Sequence, residues 1–383
     1  MIKFLFWSSA FLVCWAFALY PAVIVAIAAV SGGRRWRSSP YTGRLSIVVA
    51  AHNEKAVIRA KVENSLTLDF GETDWELIIV SDGSDDGTNE ILATFDHRHE
   101  RLKIITYHPR QGKANALNVG LAAAIGDVIV FSDANVILEK MALGPLLAPF
   151  ADPQVGAVCG RVLVKAEGDE IAGESLYMLY EGGLQRAESV LSSMVGADGA
   201  LFALRRECCR PLSAGTILDD FALSMEAPLT GKRIVYANDA KAVEEVIASA
   251  ADEFRRKVRI VAGGFQYLAA EGKRLASLSP ALIVFFLSHK LLRWIAPFLM
   301  MVVLTANLGL VVNDIFYMVV LALQGTFYGL AAIAYILPEY RKKHLFYLPY
   351  YFCTVNMAAF IGVLRFLAGR QMGLWKKVAR GCA

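Results

Sequence analysis

Apolar and polar positions fall into two regimes along this chain. From Arg44 to Arg274, short apolar runs alternate with charged, mixed stretches in the texture of a globular domain. "LSIVVAA" (45 to 51), "WELIIVS" (75 to 81), "LKIITY" (102 to 107) and "DVIVFS" (127 to 132) are rich in β-branched residues and bounded by turn signals, which predicts strands. Between them, Glu54 to Leu66 and Lys113 to Ala124 repeat their apolar residues at helical spacing. Strands alternating with helices predict βαβ units, hence an α/β domain with a mostly parallel sheet and helices on both faces.

The second regime is continuous. Ser8 to Val30 carries no charge, and Ile295 to Val312, Ile315 to Leu337 and Leu345 to Leu367 are further apolar runs; each approaches the roughly 20 residues that span a bilayer core. Pro280 to Trp294 is also apolar but ends in His289, Lys290 and Arg293, which predicts a helix lying in the interface with its cations among the headgroups. A composition 56% hydrophobic and a mean hydropathy of +0.45 agree with a chain partly embedded in lipid. A cleaved leader is the alternative for the first run, but leader cores span only ~7–15 residues, and this one is longer before it stops at Arg34, Arg35 and Arg37. Basic residues stay cytoplasmic, so those arginines, with Arg341, Lys342, Lys343 and His344, orient the middle domain toward the cytoplasm of an inner-membrane protein. Lys376, Lys377 and Arg380 conflict with three C-terminal crossings; either the last run does not fully cross or the rule is overridden there. The expected division is a transmembrane helix over 1–33, a cytoplasmic α/β domain over 34–275, and an interfacial helix plus about three spans over 276–383. The six cysteines show no C-x-x-C or zinc spacing, as expected of reduced structural thiols.

Charge gathers where an open α/β sheet binds ligands, beyond the carboxyl ends of its strands. Asn53, Asp82 and Asp133 each follow a predicted strand. A dinucleotide site would place G-x-G-x-x-G after the first strand, yet this chain has "AHNE" there. A diphosphate beside Asp82 and Asp133 requires a cation between, and Asp133 with Asn135 in "FSDANV" offers oxygen ligands suited to Mg²⁺ or Mn²⁺.

Taken in order, "VVAAHNE", "VSDGSDDGT", "RQGKANALNVG", "FSDANV", "GADGALFALRR", "ILDDF" and "RRKVRI" make the chain resemble the family-2 inverting glycosyltransferases of GT-A fold, the group holding cellulose, chitin, hyaluronan and poly-N-acetylglucosamine synthases. The resemblance covers roughly residues 45 to 275. It implies a Rossmann-like cytoplasmic domain flanked by transmembrane helices, a UDP-sugar donor, and a saccharide or lipid-linked acceptor. His52, Asn53 and Glu54 match residues around the nucleoside, Asp82 the residue that binds uracil or ribose, and Lys113 a lysine near the diphosphate. Asp133 and Asn135 take the place of a D-x-D metal motif, whose second member is usually aspartate. Asp220 matches the catalytic base and Asp219 its glutamate neighbour. Asp198 and Gly199 fall where the family holds the acceptor, and Arg256 and Arg259 where it holds the donor diphosphate.

Each residue also has a plainer reading. Asp82 followed by glycine fits an ordinary turn, Asp219 or Asp220 fits a helix N-cap, and "RRKVR" fits a solvated helix face or a contact with anionic lipid. Processive members of the family carry Q-x-x-R-W, whereas this chain has Ile260 in place of the tryptophan. The expectation is therefore a non-processive enzyme of polysaccharide or glycolipid assembly, with no nucleic-acid partner. A processive synthase completed by a membrane partner subunit or a homo-oligomer is one alternative. A scaffold or nucleotide-sensing subunit that lost the chemistry is another.

Overall fold

The computed structural model describes residues 1–32, 36–95, 99–165, 171–245, 250–312 and 314–369; the basic residues Arg34, Arg35, Lys376, Lys377 and Arg380 lie outside them. The apolar N-terminal run, with Lys3 as its one charged residue, forms Ile2–Cys14 (α1) and Tyr20–Val30 (α2), joined by a π-helical turn over Trp15–Leu19. Pro21 in the first turn of α2 brings no N–H to this wide turn. The carbonyls it leaves are taken from outside the helix: Tyr180 Oη donates to Phe17 O (3.0 Å) and Arg293 Nε to Ala16 O (3.3 Å).

The α/β domain is built on one eight-stranded sheet. Its strands are β1 (Arg44–Ala51), β2 (Asp74–Asp82), β3 (Leu102–Tyr107), β4 (Val128–Ser132), β5 (Val136–Leu138), β6 (Val155–Lys165), β7 (Leu201–Arg205) and β8 (Arg233–Glu245), in spatial order β3-β2-β1-β4-β7-β6-β8-β5. The first four are parallel, β7 runs antiparallel to β4 and β6, and β6 and β8 are parallel to each other. Because Ala51 pairs with Ser81, Val48 with Phe131 and Asp82 with Tyr107, the parallel strands finish along one edge.

The helices of this domain are α3 (Ile58–Leu66), α4 (Thr88–Ala93), α5 (Lys113–Ala123), α6 (Leu143–Leu147), α7 (Ile171–Leu191), α8 (Asp219–Leu229) and α9 (Ala250–Leu275). Side chains alternate between the sheet's faces. Val48, Ile78, Val80, Ile129 and Phe131 enter one core with Leu117 of α5, Leu184 of α7 and Phe221 of α8. Leu45, Ile47, Val49, Leu77 and Ile79 enter the other with Ile58 and Val62 of α3 and Leu92 of α4. Burial on both faces explains the unbroken apolar strands, each full burial of such a side chain stabilising by about 1.5–3 kcal/mol.

The C-terminal region contains α10 (Pro280–Phe285), a π segment over Phe286–Leu291, α11 (Leu292–Leu310), α12 (Ile315–Ile336) and α13 (His344–Leu367). Among the described residues, four helical segments are long and apolar enough to cross a membrane: Ile2–Val30, Pro280–Leu310, Ile315–Ile336 and His344–Leu367. Pro280 to Trp294 is thus not a separate helix but the first half of Pro280–Leu310. Its basic residues meet carboxylates of α7: His289 bridges Glu188 (2.8 Å) and Glu181 (2.6 Å), and Arg293 reaches Glu181 (3.0 Å). With His289 only 1% exposed, pairing replaces the headgroup contact expected from sequence, as a buried polar group requires.

Candidate active site

The turn after β1 is fastened to the loop after β2. Asn53 adopts φ 56°, a left-handed conformation that asparagine tolerates. Its backbone N–H donates to Ser84 Oγ (3.1 Å), and its amide exchanges bonds with Asp85 (2.7 and 2.9 Å). His52 Nδ1 lies 2.7 Å from the Asp82 carbonyl, and Glu54 N–H donates to Thr88 Oγ1 (2.8 Å).

Asp82, at the end of β2, is almost wholly buried. Its two oxygens accept the N–H groups of Gln111 (2.6 Å) and Gly112 (2.8 Å), with Arg110 Nε 3.8 Å away. Anionic oxygen at the start of a helix is favourable, and here it shapes the loop that places Lys113 as the first residue of α5. Lys113 Nζ stands between two carboxylates, 2.8 Å from Asp133 Oδ1 and 2.9 Å from Asp219 Oδ2. Burial opposes its charge, but Asp133 and Asp219 outweigh burial and hold the ammonium well above the usual lysine range. The sheet edge and the start of α8 therefore meet at one cation.

Asp219 and Asp220 open α8, but the N-cap position belongs to Leu218, which supplies no side-chain cap. Capping does not explain these aspartates: Asp219 turns to Lys113, and Asp220 Oδ1 accepts the adjacent Phe221 N–H (2.7 Å). Burial and the neighbouring Asp219 push the Asp220 carboxyl up to about 7, near the operating pH that suits a proton acceptor. Gly199 lies against it, since a methyl group there would stand 2.7 Å from Asp220 Oδ2. Asp198 is exposed and accepts from Gln185 Nε2 of α7 (3.1 Å).

Helix α9 holds the approach to this pair. Arg259 Nη1 donates to Ile217 O (3.4 Å), and two turns later Gln266 accepts from Ile217 N–H (3.1 Å) and donates to Gly215 O (3.1 Å). Gly263 between them permits the approach, for a methyl there would come 2.8 Å from both Ile217 and Leu218. Arg259 is thereby brought beside the Asp219 segment. Arg256 is instead exposed and paired with Glu253 (2.8 Å) on its own helix. Asn135 donates to Glu244 of β8 (3.0 Å). Among the described residues, no group of three or more His, Cys, Asp or Glu is arranged to hold a metal ion.

Residues 46–210 match the family described as Glycosyl transferase family 2. The chain carries a family-2 glycosyltransferase domain. A probable glycosyltransferase of Bacillus subtilis, YdaM, is 29% identical over 204 residues, 51% of this chain and 48% of that protein. The poly-β-1,6-N-acetyl-D-glucosamine synthase of Staphylococcus epidermidis is 26% identical over 231 residues, 58% of this chain and 55% of the synthase. The chain thus spans about half the length of these curated relatives. Among solved structures, the mannosyltransferase PcManGT of Pyrobaculum calidifontis, in complex with GDP-Man and Mn²⁺, superposes with a TM-score of 0.72 at 21% identity, covering 97% of this chain and 100% of that one. The shared fold is the GT-A architecture expected from the motifs, and it extends over the helical segments as well.

Around the family-2 site, several residues escaped the sequence reading. Gln266 had a local signal, since it lies seven residues after Arg259 and so on the same helix face. Gln185 and Glu244 had none, because their partners Asp198 and Asn135 are distant in sequence and adjacent only through the fold.

Proposed function

We propose that this chain is a multi-pass membrane glycosyltransferase that moves a sugar, with inversion, from a UDP-sugar to a saccharide or lipid-linked acceptor. Its soluble domain, residues 34–275, faces the cytoplasm in this reading. The observation that carries it is the meeting of Lys113, Asp133, Asp219 and Asp220, where a carboxyl held near neutrality lies beside Gly199 and Asp198 on one side and the Lys113 cation on the other.

In this reading Asp220 accepts the proton of the attacking acceptor hydroxyl, a poor nucleophile until a placed base relieves it of that proton. Asp198, oriented by Gln185, and Gly199 hold the acceptor. The edge formed by His52, Asn53, Glu54 and Asp82 receives the nucleoside, while Lys113 and Arg259 face the diphosphate and stabilise its charge as the sugar leaves. Arg256 joins them by releasing Glu253. Asp219 keeps Lys113 in place.

The donor set at Asp133 fits a hard divalent cation: its side chain is 34% exposed, and Mg²⁺ or Mn²⁺ commonly takes one or two carboxylates and completes its shell with substrate phosphate. Asp133 would hold the ion with Asn135 as a neutral second ligand, and such an ion supplies charge stabilisation for the diphosphate. The Mn²⁺ of the mannosyltransferase complex supports the assignment. Ile260 in place of a stacking tryptophan supports addition of one or a few sugars rather than a long polymer. Purified full-length protein incubated with single UDP-sugars, or with GDP-mannose, and membrane lipid extract tests this by product mass. A mass increment of one or a few sugars from a UDP-sugar is expected; no increment, or one with GDP-mannose alone, overturns the donor assignment.

A further inference from the structure

Among the described residues, Lys61 is the one basic side chain in the set of the largest wholly buried ones. It sits on α3, behind the β4 edge, and none of the roles above uses it. Nζ donates to Ser132 Oγ (2.8 Å) and to Val136 O (2.7 Å). These two residues bracket the turn Asp133-Ala134-Asn135, which closes on itself through a Val136 N–H to Asp133 O bond (3.2 Å). Ser132 Oγ, having accepted from Lys61, donates onward to Ala200 O (2.9 Å). One ammonium thus ties the turn bearing Asp133 to the backbone just after Asp198 and Gly199.

A second contact of the same helix sharpens the point. Asn64, one turn after Lys61, exchanges two bonds with Leu138 of β5, both 2.9 Å. Asn64 therefore docks α3 against β5, and that docking does not need a lysine next door. Burying an amine is costly: burial pulls the Lys61 ammonium down to about 7, against the pull of Asp133. A leucine or methionine would fill the same space without that cost.

We infer that Lys61 is a positioning residue, holding the Asp133–Asn135 turn in register with the Asp198–Ala200 segment so that donor and acceptor sites keep a fixed separation. The inference rests on the donor-site reading given above. Lys61 touches no substrate in it. It acts through Ser132 and Val136, and its loss lets the turn relax and Asp133 turn away from the diphosphate.

The test compares Lys61→Met, which keeps the volume and loses both bonds, with Asn64→Ala, which loosens the same helix one turn away. Binding of UDP to full-length protein in detergent is measured by titration calorimetry at saturating Mn²⁺ and in excess chelator, alongside the thermal midpoint. At comparable midpoints, Lys61→Met is expected to weaken UDP binding in Mn²⁺ by about tenfold while Asn64→Ala leaves it within twofold. Equal binding by the two variants makes Lys61 purely structural and overturns the inference. Should Lys61→Met lack a cooperative melt, Ser132→Ala decides: weakened UDP binding supports the inference, and unchanged binding overturns it. Wild-type protein that binds UDP equally well in chelator defeats the metal assignment alone; the comparison of Lys61→Met with Asn64→Ala then stands on UDP affinity without the ion.

Discussion

Replacing Asp220 by asparagine removes the proposed proton acceptor while keeping its shape. The side-chain oxygen that accepts Phe221 N–H at 2.7 Å survives, the start of α8 is unaltered because Leu218 holds the N-cap position, and Lys113 keeps Asp133 and Asp219. Transfer should therefore fall by the ~10²–10⁴ that a general base contributes, with little change in UDP-sugar affinity. The pH profile gives the sign independently. With burial and Asp219 raising its carboxyl to about 7, the residue is mostly protonated below neutrality, so the wild-type rate drops about tenfold per unit as pH falls below that point and levels off above it. In Asp220→Asn the residual rate should lose that limb. The assay is single-turnover transfer from labelled UDP-sugar between pH 5.5 and 8.5, with donor affinity measured on the same preparation. Transfer within threefold of wild type, or a joint loss of rate and donor affinity, refutes the assignment of Asp220 as base.

Three further outcomes follow from the same geometry. Asp133→Ala should abolish both transfer and the dependence of UDP binding on Mn²⁺, measured by calorimetry with and without chelator; retained cation dependence moves the site elsewhere. Gly199→Ala places a methyl group 2.7 Å from Asp220 Oδ2, and a displacement of about 1 Å at a reacting group costs on the order of 10²-fold, so kcat should fall with UDP affinity intact. In a cysteine-depleted background, Glu72→Cys should label only from the cytoplasmic side and Val312→Cys only from outside, read with an impermeant maleimide on spheroplasts and inverted vesicles.

The parallel half of the sheet was legible because its strands are buried on both faces: "LSIVVAA" and "DVIVFS" leave no other reading than core strands, and the observed bounds of β1 and β4 differ from them by one residue. The motif residues followed, since a loop after a parallel strand must emerge at the ligand edge. β6, β7 and β8 were not anticipated: their antiparallel and crossover pairings join segments far apart in sequence, and β6 shifts register near Gly160. The basic residues His289 and Arg293 were misplaced for a related reason, as their carboxylate partners lie about a hundred residues earlier on α7. Lys61 was invisible because its spacing marks only a helix; nothing local says that its ammonium points inward, beneath Asp133.

The central claim is a single inverting displacement at the anomeric carbon by an acceptor that Asp220 deprotonates. Its most direct test is the anomeric configuration of the first product, read by proton NMR before any equilibration, from an α-linked UDP-sugar and full-length protein. A β-linked product, lost in Asp220→Asn, is the predicted result. An α-linked product, or the same β-linked product made at wild-type rate by Asp220→Asn, would contradict it.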